Sequence, residues 1–429
     1  MTRVLVIGGG AAAVAAAEEA VVTGPDITVI ESSAHLAPDR TMFPYLLSGR
    51  CGLDEILGSG QESLLRRLGI EVLLGRRVQR VDPAAKSAQM SGPGTETDSM
   101  GFDSLVIATG SRNLPEDVRG TSKTGVFLLD TAEDYLSLGG SASRLTKVAL
   151  LGSSAPLALL AAEQLSKKVS VVVFLNPGAL ERFSPAIWRR LARASISHGV
   201  AVVEGGLRSI TGLNRVEAVV SSDSVTPCDA VAILPRSVPS LPAVPCRTGA
   251  GGGAMVDRAM RTSVPGIFAA GDCAEPRVGT GSIPFRLRSA ALVMGRTAGR
   301  NAAGGRPSEA GLAGALGLRV FETELFAAGI SYREGLSVGL DLVEMEDATD
   351  PSESAVTSSI VFERSSHRIY GAQATGPGAL SLSDYLSSAV SSHTRLEEIV
   401  DQESPYPQLG HSPSPIRLTA GEFLKRLKE

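Results

Sequence analysis

The run Val4-Leu5-Val6-Ile7-Gly8-Gly9-Gly10-Ala11-Ala12-Ala13 constrains the chain more than any other stretch. An uncharged apolar run reads as a strand buried on both faces of a parallel sheet. Glycines follow at once, and the alanine-rich residues after them predict a helix over about Ala11 to Val22. The glycines and alanine form a G-x-G-x-x-A pattern on Gly8, Gly10 and Ala13. Gly8 permits the tight turn, Gly10 lets backbone approach a pyrophosphate, and Ala13 lets helix and strand pack closely. The helix N-terminus offers unpaired N–H groups and the positive end of the dipole to phosphates. A second strand, Ile27-Thr28-Val29-Ile30, ends in Glu31. A carboxylate about 20 residues beyond the glycines suits the ribose hydroxyls of an adenosine. A glycine-rich strand–helix turn without a ligand carries the same local pattern. The strand before, the helix after and the acid in its place favour dinucleotide binding.

A length of 429 residues leaves room for two or three domains. With 43% hydrophobic and 20% charged residues, the chain is of ordinary globular composition. The net charge of −4 points away from nucleic acid and from anionic membranes as partners. No apolar run reaches the length of a membrane span. The chain enters a strand almost at once, so no leader is expected. Cys51, Cys228, Cys246 and Cys273 form no C-x-x-C pair, which argues against a disulfide framework or a zinc site and for a reducing cytoplasm. His35, His198, His367, His393 and His411 are scattered without ligand spacing, so no metal is expected.

Beyond Glu31, a helical stretch is expected through Leu64 to Leu68, then strands at Gly69 to Leu74 and Arg77 to Asp82. Ser91 to Met100 reads as a polar turn, and Phe102 to Ser111 as a buried strand closing on small residues. A second strand–turn–helix unit begins at Val148 and runs through Gly152-Ser153-Ser154-Ala155-Pro156-Leu157, with its next strand at Val169 to Phe174. An amphipathic helix is expected around Ile187 to Ala194, and strands near Val200, Val216 and Ala230 to Leu234. Leu241 to Gly253, rich in Pro and Gly, reads as a crossing back to the first domain. Thr262 to Asp272 is a strand ending in Gly271-Asp272, followed by a long helix from about Arg288 to Ala303. After the small-residue linker Gly304 to Gly317 the composition changes, with alternating strands, a Ser-rich helix near Leu380 to Ser391 and a last helix near Thr419 to Leu427.

Three stretches together resemble the pyridine nucleotide–disulfide oxidoreductase family: the opening glycine motif with Glu31, the Phe102 to Ser111 strand with Ala108-Thr109-Gly110, and the Thr262 to Asp272 strand. The resemblance implies an α/β, three-layer, two-dinucleotide flavoprotein fold. It has two Rossmann-like dinucleotide-binding domains and a C-terminal α+β dimerisation domain. The implied segments are 1–112 and 245–317 for FAD, 113–244 for an inserted NAD(P)-type domain, and 318–429 for the interface. By the resemblance, Asp272, after Gly271, bonds the ribityl chain of FAD. The Thr109-Gly110 backbone passes near the cofactor, and Val78 falls where backbone meets the adenine. The similarity is strongest to the coenzyme A disulfide reductase and NADH oxidase branch. There Phe321-Glu322 to Gly335 resembles the start of the dimerisation domain, Tyr370-Gly371-Ala372-Gln373 a strand motif, and Tyr406-Pro407 an aromatic residue across the dimer interface.

Two departures stand out. The branch writes its redox segment R-C-x-L-P-Y-x-x-S-G; here it is Arg40-Thr41-Met42-Phe43-Pro44-Tyr45-Leu46-Leu47-Ser48-Gly49, with Thr41 in the cysteine's place. A hydroxyl forms neither a thiolate nor a mixed disulfide nor a sulfenic acid. Cys51, further on, reads as a small apolar residue on a helix. The second glycine motif carries Gly152, Ser154 and Leu157 where the family has three glycines. Leu157 is expected to crowd the helix against the strand, and Pro156 removes a donor N–H. The following strand ends Phe174-Leu175-Asn176, with no acid for a ribose. Arg182, Arg189 and Arg190 suit either a 2′-phosphate or a solvated helix face.

These readings converge on a homodimeric, cytoplasmic FAD oxidoreductase that moves hydride through flavin without a protein thiol. NAD(P)H is a possible donor and oxygen, a quinone or a small molecule the acceptor. Tyr406 and His411, brought by the family to the partner subunit's flavin, are candidate proton donors beside Thr41. Packing at the interface and an ordinary surface histidine are the plainer readings of the first two. An oxidase or dehydrogenase of an organic substrate at a degenerate nicotinamide site, and a flavin-binding protein without turnover, remain alternatives.

Overall fold

Two parallel sheets account for the two glycine-ended strands. The computed structural model describes residues 2–36, 38–56, 60–92, 95–114, 116–222, 224–346 and 356–403, with 420, 421, 424 and 425. The chain divides into two compact units. One comprises Met1–Asp39, Asp54–Arg112 and Ser237–Gly314; the other Arg40–Leu53, Asn113–Arg236 and Ala315–Glu429.

In the first unit a five-stranded sheet runs in the order Ile267–Ala269, Ser104–Ile107, Arg3–Ile7, Asp26–Ile30, Glu71–Leu73, with every neighbouring pair parallel. Val4, Leu5 and Val6 at the centre have no solvent exposure. Burial of each such side chain contributes roughly 2 kcal/mol. The strand order reverses direction at Arg3–Ile7, which places a crevice beside its C-terminal end. Helix Ala11–Ala20 packs against helix Arg288–Ala302. The contact is backbone to backbone: a Cβ on Gly295 would overlap the Ala12 carbonyl, and one on Gly299 the Ala16 carbonyl. The alanine and glycine content of these two helices is thus a packing requirement. Arg300 fixes the far end, donating from Nε to Glu19 Oε1 at 2.8 Å.

A three-stranded antiparallel sheet, Arg77–Asp82, Ser87–Gly92 and Thr95–Gly101, extends this unit. The expected polar turn over Ser91 to Met100 is therefore mostly strand. Its polar side chains hid a hairpin whose pairing comes from the neighbouring strands.

The second unit holds a five-stranded parallel sheet in the order Ala201–Glu204, Ser170–Leu175, Lys147–Gly152, Ala230–Leu234, Val126–Leu128. A meander of Ser209–Thr211, Ala218–Val220 and Val225–Pro227 lies beside it, and Cys228 joins Phe174, Ile210 and Val219 in their shared core. From Leu316 the topology changes to an antiparallel sheet in the order Leu316–Val320, Thr323–Gly329, Ile369–Thr375, Thr357–Glu363, Leu342–Glu346. Helix Pro185–Ser197 connects the two sheets. Ile187, Trp188 and Leu191 form its buried stripe, and the Ser184 hydroxyl caps its N-terminus.

Gln373 locks that connection. Its Oε1 accepts from Ser184 N at 3.1 Å and its Nε2 donates to Arg182 O at 2.8 Å. Arg182 donates to Gly329 O at 3.3 Å and Arg190 to Thr357 Oγ1 at 3.1 Å, while Arg189 lies 3.9 Å from Glu346. Burial lowers the pKa of Arg182. Arg182 and Arg190 tie this region to the sheet, which is neither the phosphate role nor the solvated face considered from the sequence, whereas Arg189 is exposed, as the solvated-face reading expects.

The helix contact generates a stability test. Gly299→Leu should lower the thermal midpoint sharply, since the overlap is with backbone and costs about 3 kcal/mol or more. Gly140→Ala, in helix Ala132–Ser141 with nothing within 4 Å of the added Cβ, should be neutral or stabilising by up to about 1 kcal/mol. Scanning calorimetry of both variants checks the contrast.

Candidate functional site

The parallel strands of the first unit end in step. Gly8 N donates to Ile30 O at 2.8 Å, Ala108 N to Ile7 O at 2.8 Å, Ala270 N to Ile107 O at 2.9 Å, and Glu31 N to Leu73 O at 2.9 Å. The residues that follow, Gly8–Gly10, Glu31, Thr109–Gly110 and Gly271–Asp272, therefore emerge along one edge.

Gly8 takes φ +117°, and a Cβ there would overlap the Ala108 carbonyl. A Cβ on Gly9 would lie 2.9 Å from Glu31 Oε2, so Gly9 is what admits the Glu31 carboxylate over the turn. The G-x-G-x-x-A pattern leaves Gly9 as a free position. Glu31 is itself oriented: its Oε1 accepts from Ser33 N at 2.8 Å, Ser33 Oγ at 2.9 Å and Ser32 Oγ at 3.1 Å. Gly10, by contrast, would meet no protein atom within 4 Å of an added Cβ. It caps helix Ala11–Ala20, whose N-terminus carries neither a side-chain cap nor a first-turn acid. Ala13 is fully buried behind it. A turn open at Gly10, with donors behind it and a carboxylate beside it, fits a diphosphate joined to a ribose.

The other members gather round this turn. A Cβ on Gly271, at φ +78°, would lie 3.0 Å from Ala12 Cβ. Asp272 Oδ2 accepts from Ser111 Oγ at 3.1 Å. Thr109 Oγ1 donates to Ser240 O, and Ser240 N donates to Gly110 O at 3.0 Å. Arg76 N donates to Glu31 O at 2.9 Å, which brings the following strand, with buried Val78, alongside Glu31. Cys273 is fully buried, and its Sγ donates towards Ile107 O and Ala270 O at 3.4 and 3.3 Å. Burial raises its pKa, which keeps it a thiol.

In the second unit, Gly152 begins the turn before helix Ala155–Ser166. The expected crowding by Leu157 does not occur. Leu157 is half-buried, and the close approach to Gly152 is made by the next residue, fully buried Ala158, whose Cβ would lie 2.8 Å from a Cβ on Gly152. Pro156 sits in the first helical turn, where its missing N–H costs no intrahelical bond. A carboxylate does reach this turn, from outside the unit's own strands. Glu116 Oε1 accepts from Ser153 Oγ at 2.7 Å, and its Oε2 accepts from Asn176 Nδ2 at 2.9 Å. No spacing rule identifies it, because Glu116 lies 60 residues before Asn176.

Thr41 lies on the turn Arg40–Met42 and is exposed. Helix Pro44–Ser48 behind it is held by the Phe43–Tyr135 edge contact, with centroids 5.6 Å apart, and by Ser48 Oγ donating to Gln164 Oε1 at 2.8 Å. Gly139 lets this helix close in, since a Cβ there would sit 2.8 Å from Leu47 O. Cys51 lies between two short helices rather than on one, and is half-buried. Burial pushes the Cys228 thiol up to about 11. Tyr406 and His411 lie outside the described residues. Among the described residues no group of three or more His, Cys, Asp or Glu could hold a metal. Nor is any described helix long and apolar enough to cross a membrane.

Residues 2–292 match the family model described as pyridine nucleotide-disulphide oxidoreductase. The chain belongs to that family. It is thus an FAD-dependent oxidoreductase with two dinucleotide-type domains. The flavoprotein is 25% identical to an NADH oxidase of Methanocaldococcus jannaschii over 427 residues, covering 94% of each chain. It is 24% identical to the CoA-dependent NAD(P)H sulfur oxidoreductase of Pyrococcus furiosus over 397 residues, 89% of each. Its fold is that of an NAD-dependent persulfide reductase from A. fulgidus, with a TM-score of 0.85, 24% identity, and coverage of all of this chain and 84% of the other.

The open space at Gly10 makes a test of the first turn. Gly10→Val should fold with an unchanged thermal midpoint in the absence of flavin, yet purify colourless and bind added FAD at least about a hundredfold more weakly, as steric exclusion from a diphosphate site implies. Absorbance at purification and a fluorescence titration with FAD check both parts.

Proposed function

We propose that this oxidoreductase passes electrons from NAD(P)H to oxygen, a quinone or another small acceptor without using a protein thiol. The observation that carries the reading is Thr41 in the place where the resembling branch has its cysteine. The two buried cysteines do not replace it. Cys228 belongs to a core, and Cys273 directs its Sγ into backbone carbonyls. The relatives named NADH oxidase and NAD(P)H sulfur oxidoreductase support NAD(P)H as the donor.

FAD supplies reversible two-electron exchange when bound. The chain's tasks are to hold and orient it. Gly8 and Gly10 give the diphosphate its turn, Ala13 sets the helix close behind, and Glu31 offers its carboxylate to the ribose. The backbone at Val78 meets the adenine, Thr109 and Gly110 pass along the cofactor, and Gly271 carries Asp272 to the ribityl hydroxyls. Residues 318–429 form the interface of a homodimer in the cytoplasm. Tyr406 and His411 from the partner copy, together with Thr41, are the polar groups that move protons at the reacting end. A second reading, oxidation of an organic substrate in place of NAD(P)H, is favoured by Ser154, Pro156 and Leu157 in the second turn.

Anaerobic mixing separates the two. NADH or NADPH should bleach the flavin within seconds. Bleaching only by an organic donor would favour the second reading. Coenzyme A disulfide and glutathione disulfide should not be turned over, and steady reduction of either that survives Cys51→Ser would refute the thiol-free mechanism.

The dimer has its own test. Sedimentation should give twice the monomer mass of 44.4 kDa. His411→Ala should keep FAD and the dimer but slow turnover by about a hundredfold to ten-thousandfold, the usual contribution of a general acid. Truncation before Leu318 is a poor probe, because helix Pro185–Ser197 packs on the sheet it would remove.

A further inference from the structure

Glu116 stands in the second nucleotide unit where Glu31 stands in the first. The helix N-caps Gly10 and Ser154 set the correspondence, so Gly8 matches Gly152 and Gly9 matches Ser153. Glu31 follows Ile30, which pairs with Ile7; Leu175 pairs with Gly152. The position of Glu31 thus falls to Leu175, which is buried and apolar, and the next to Asn176. In the first unit the carboxylate lies over Gly9, 2.9 Å from where its Cβ would be. In the second, the Glu116 carboxylate lies 2.7 Å from the Ser153 hydroxyl and 2.9 Å from Asn176 Nδ2. Asn176 Nδ2 also lies 2.8 Å from Ser153 Oγ, which closes a three-membered network over the turn. Gly206 makes room for it, since a Cβ there would sit 2.6 Å from Asn176 Oδ1.

We propose that Glu116 is the ribose carboxylate of the second nucleotide site and makes the protein select NADH over NADPH. This rests on the reading of NAD(P)H as donor. An ionised carboxylate has about four lone-pair directions, and one donor on each oxygen leaves acceptors for the 2′- and 3′-hydroxyls of an adenosine ribose. A 2′-phosphate at the same place meets a fixed negative charge and finds no donor on Glu116. Ser153 and Asn176 act as positioning residues: each donates to one carboxylate oxygen and so aims the pair. The strand-end acid lost at Leu175 is replaced by one carried in on a preceding segment.

The test uses the holoenzyme with two redox-inert probes, ADP-ribose and 2′-phospho-ADP-ribose, titrated by calorimetry, alongside anaerobic flavin bleaching by NADH and NADPH. The native protein should bind ADP-ribose at least about tenfold more tightly than its 2′-phosphate. Glu116→Gln, which keeps size and removes charge, should weaken ADP-ribose and NADH by about tenfold, the value of a charged hydrogen bond. It should also bring the preference for ADP-ribose over the 2′-phosphate to within about twofold. Asn176→Ala should show a smaller loss of the same kind. Exposed Asp117→Asn should change neither affinity. Tighter binding in Glu116→Gln would mean that the carboxylate obstructs the turn, and an unchanged preference would mean that it does not touch the ribose; either overturns the proposal, as does failure of the native protein to bind ADP-ribose. Should ADP-ribose bind as expected while neither nucleotide bleaches the flavin, the donor assignment fails and the ribose assignment stands.

Discussion

Gly8 lies against the carbonyl of Ala108 at a backbone angle of φ +117°, a place with no room for a Cβ. Because the first strand turns there, helix Ala11–Ala20 starts directly over the sheet, and Ala13 and Ala16 are buried at no cost in side-chain entropy. The same close turn exposes the N–H groups of the helix at the strand ends, where Glu31 and Asp272 also emerge. Removal of the glycine would force the helix away from the sheet and separate the glycine turn from the Glu31 carboxylate. Fold and site are coupled through one backbone contact.

The coupling extends outward through helix Arg288–Ala302. Glycine inside a helix costs about 1 kcal/mol relative to alanine. Gly295 and Gly299 accept that cost because they let the helix meet the Ala12 and Ala16 carbonyls directly. A Cβ on Gly271 would lie only 3.0 Å from Ala12 Cβ in the same arrangement, so the packing that seats this helix also seats the segment of Asp272. The segment that carries the site's last residue is positioned by the helix that begins at its first.

Features that repeat over a few residues were legible in the sequence. The uncharged run Val4 to Ile7, the alanine-rich helix, Glu31 at its spacing and the strand ending at Asp272 all report local periodicity or a short-range turn rule. The α/β class with two nucleotide-type sheets followed from them. What stayed hidden was set by distant partners. Ser91 to Met100 looks like a turn because its residues are mostly polar and the strand is defined by pairing with Ser87–Gly92 rather than by an apolar period of its own. Arg182 and Arg190 look like a solvated face because their partners, Gly329 and Thr357, lie 147 and 167 residues further on. Glu116 carries no pattern at all; only the fold brings it to Ser153 and Asn176.

The two glycine turns differ in what enforces them. At Gly8 the obstacle is backbone, which cannot move, and the angle is left-handed, so no other residue fits. At Gly152 the strand continues in register with both neighbours, and the nearest atom to an added Cβ is the Ala158 methyl. The second turn is therefore constrained by side chains rather than by main chain. Ser154, Pro156 and Leu157 are compatible with it because the close helix contact has passed to Ala158. A turn relaxed in this way keeps its fold under substitution, so its chemistry falls to side chains that approach from elsewhere. Ser153 and Asn176 hold such a group, the Glu116 carboxylate, on two hydrogen bonds whose donors belong to the turn and to the neighbouring strand end. The first unit draws its carboxylate from its own strand end; the second imports one from a preceding segment, which separates the charge at the turn from the integrity of the sheet.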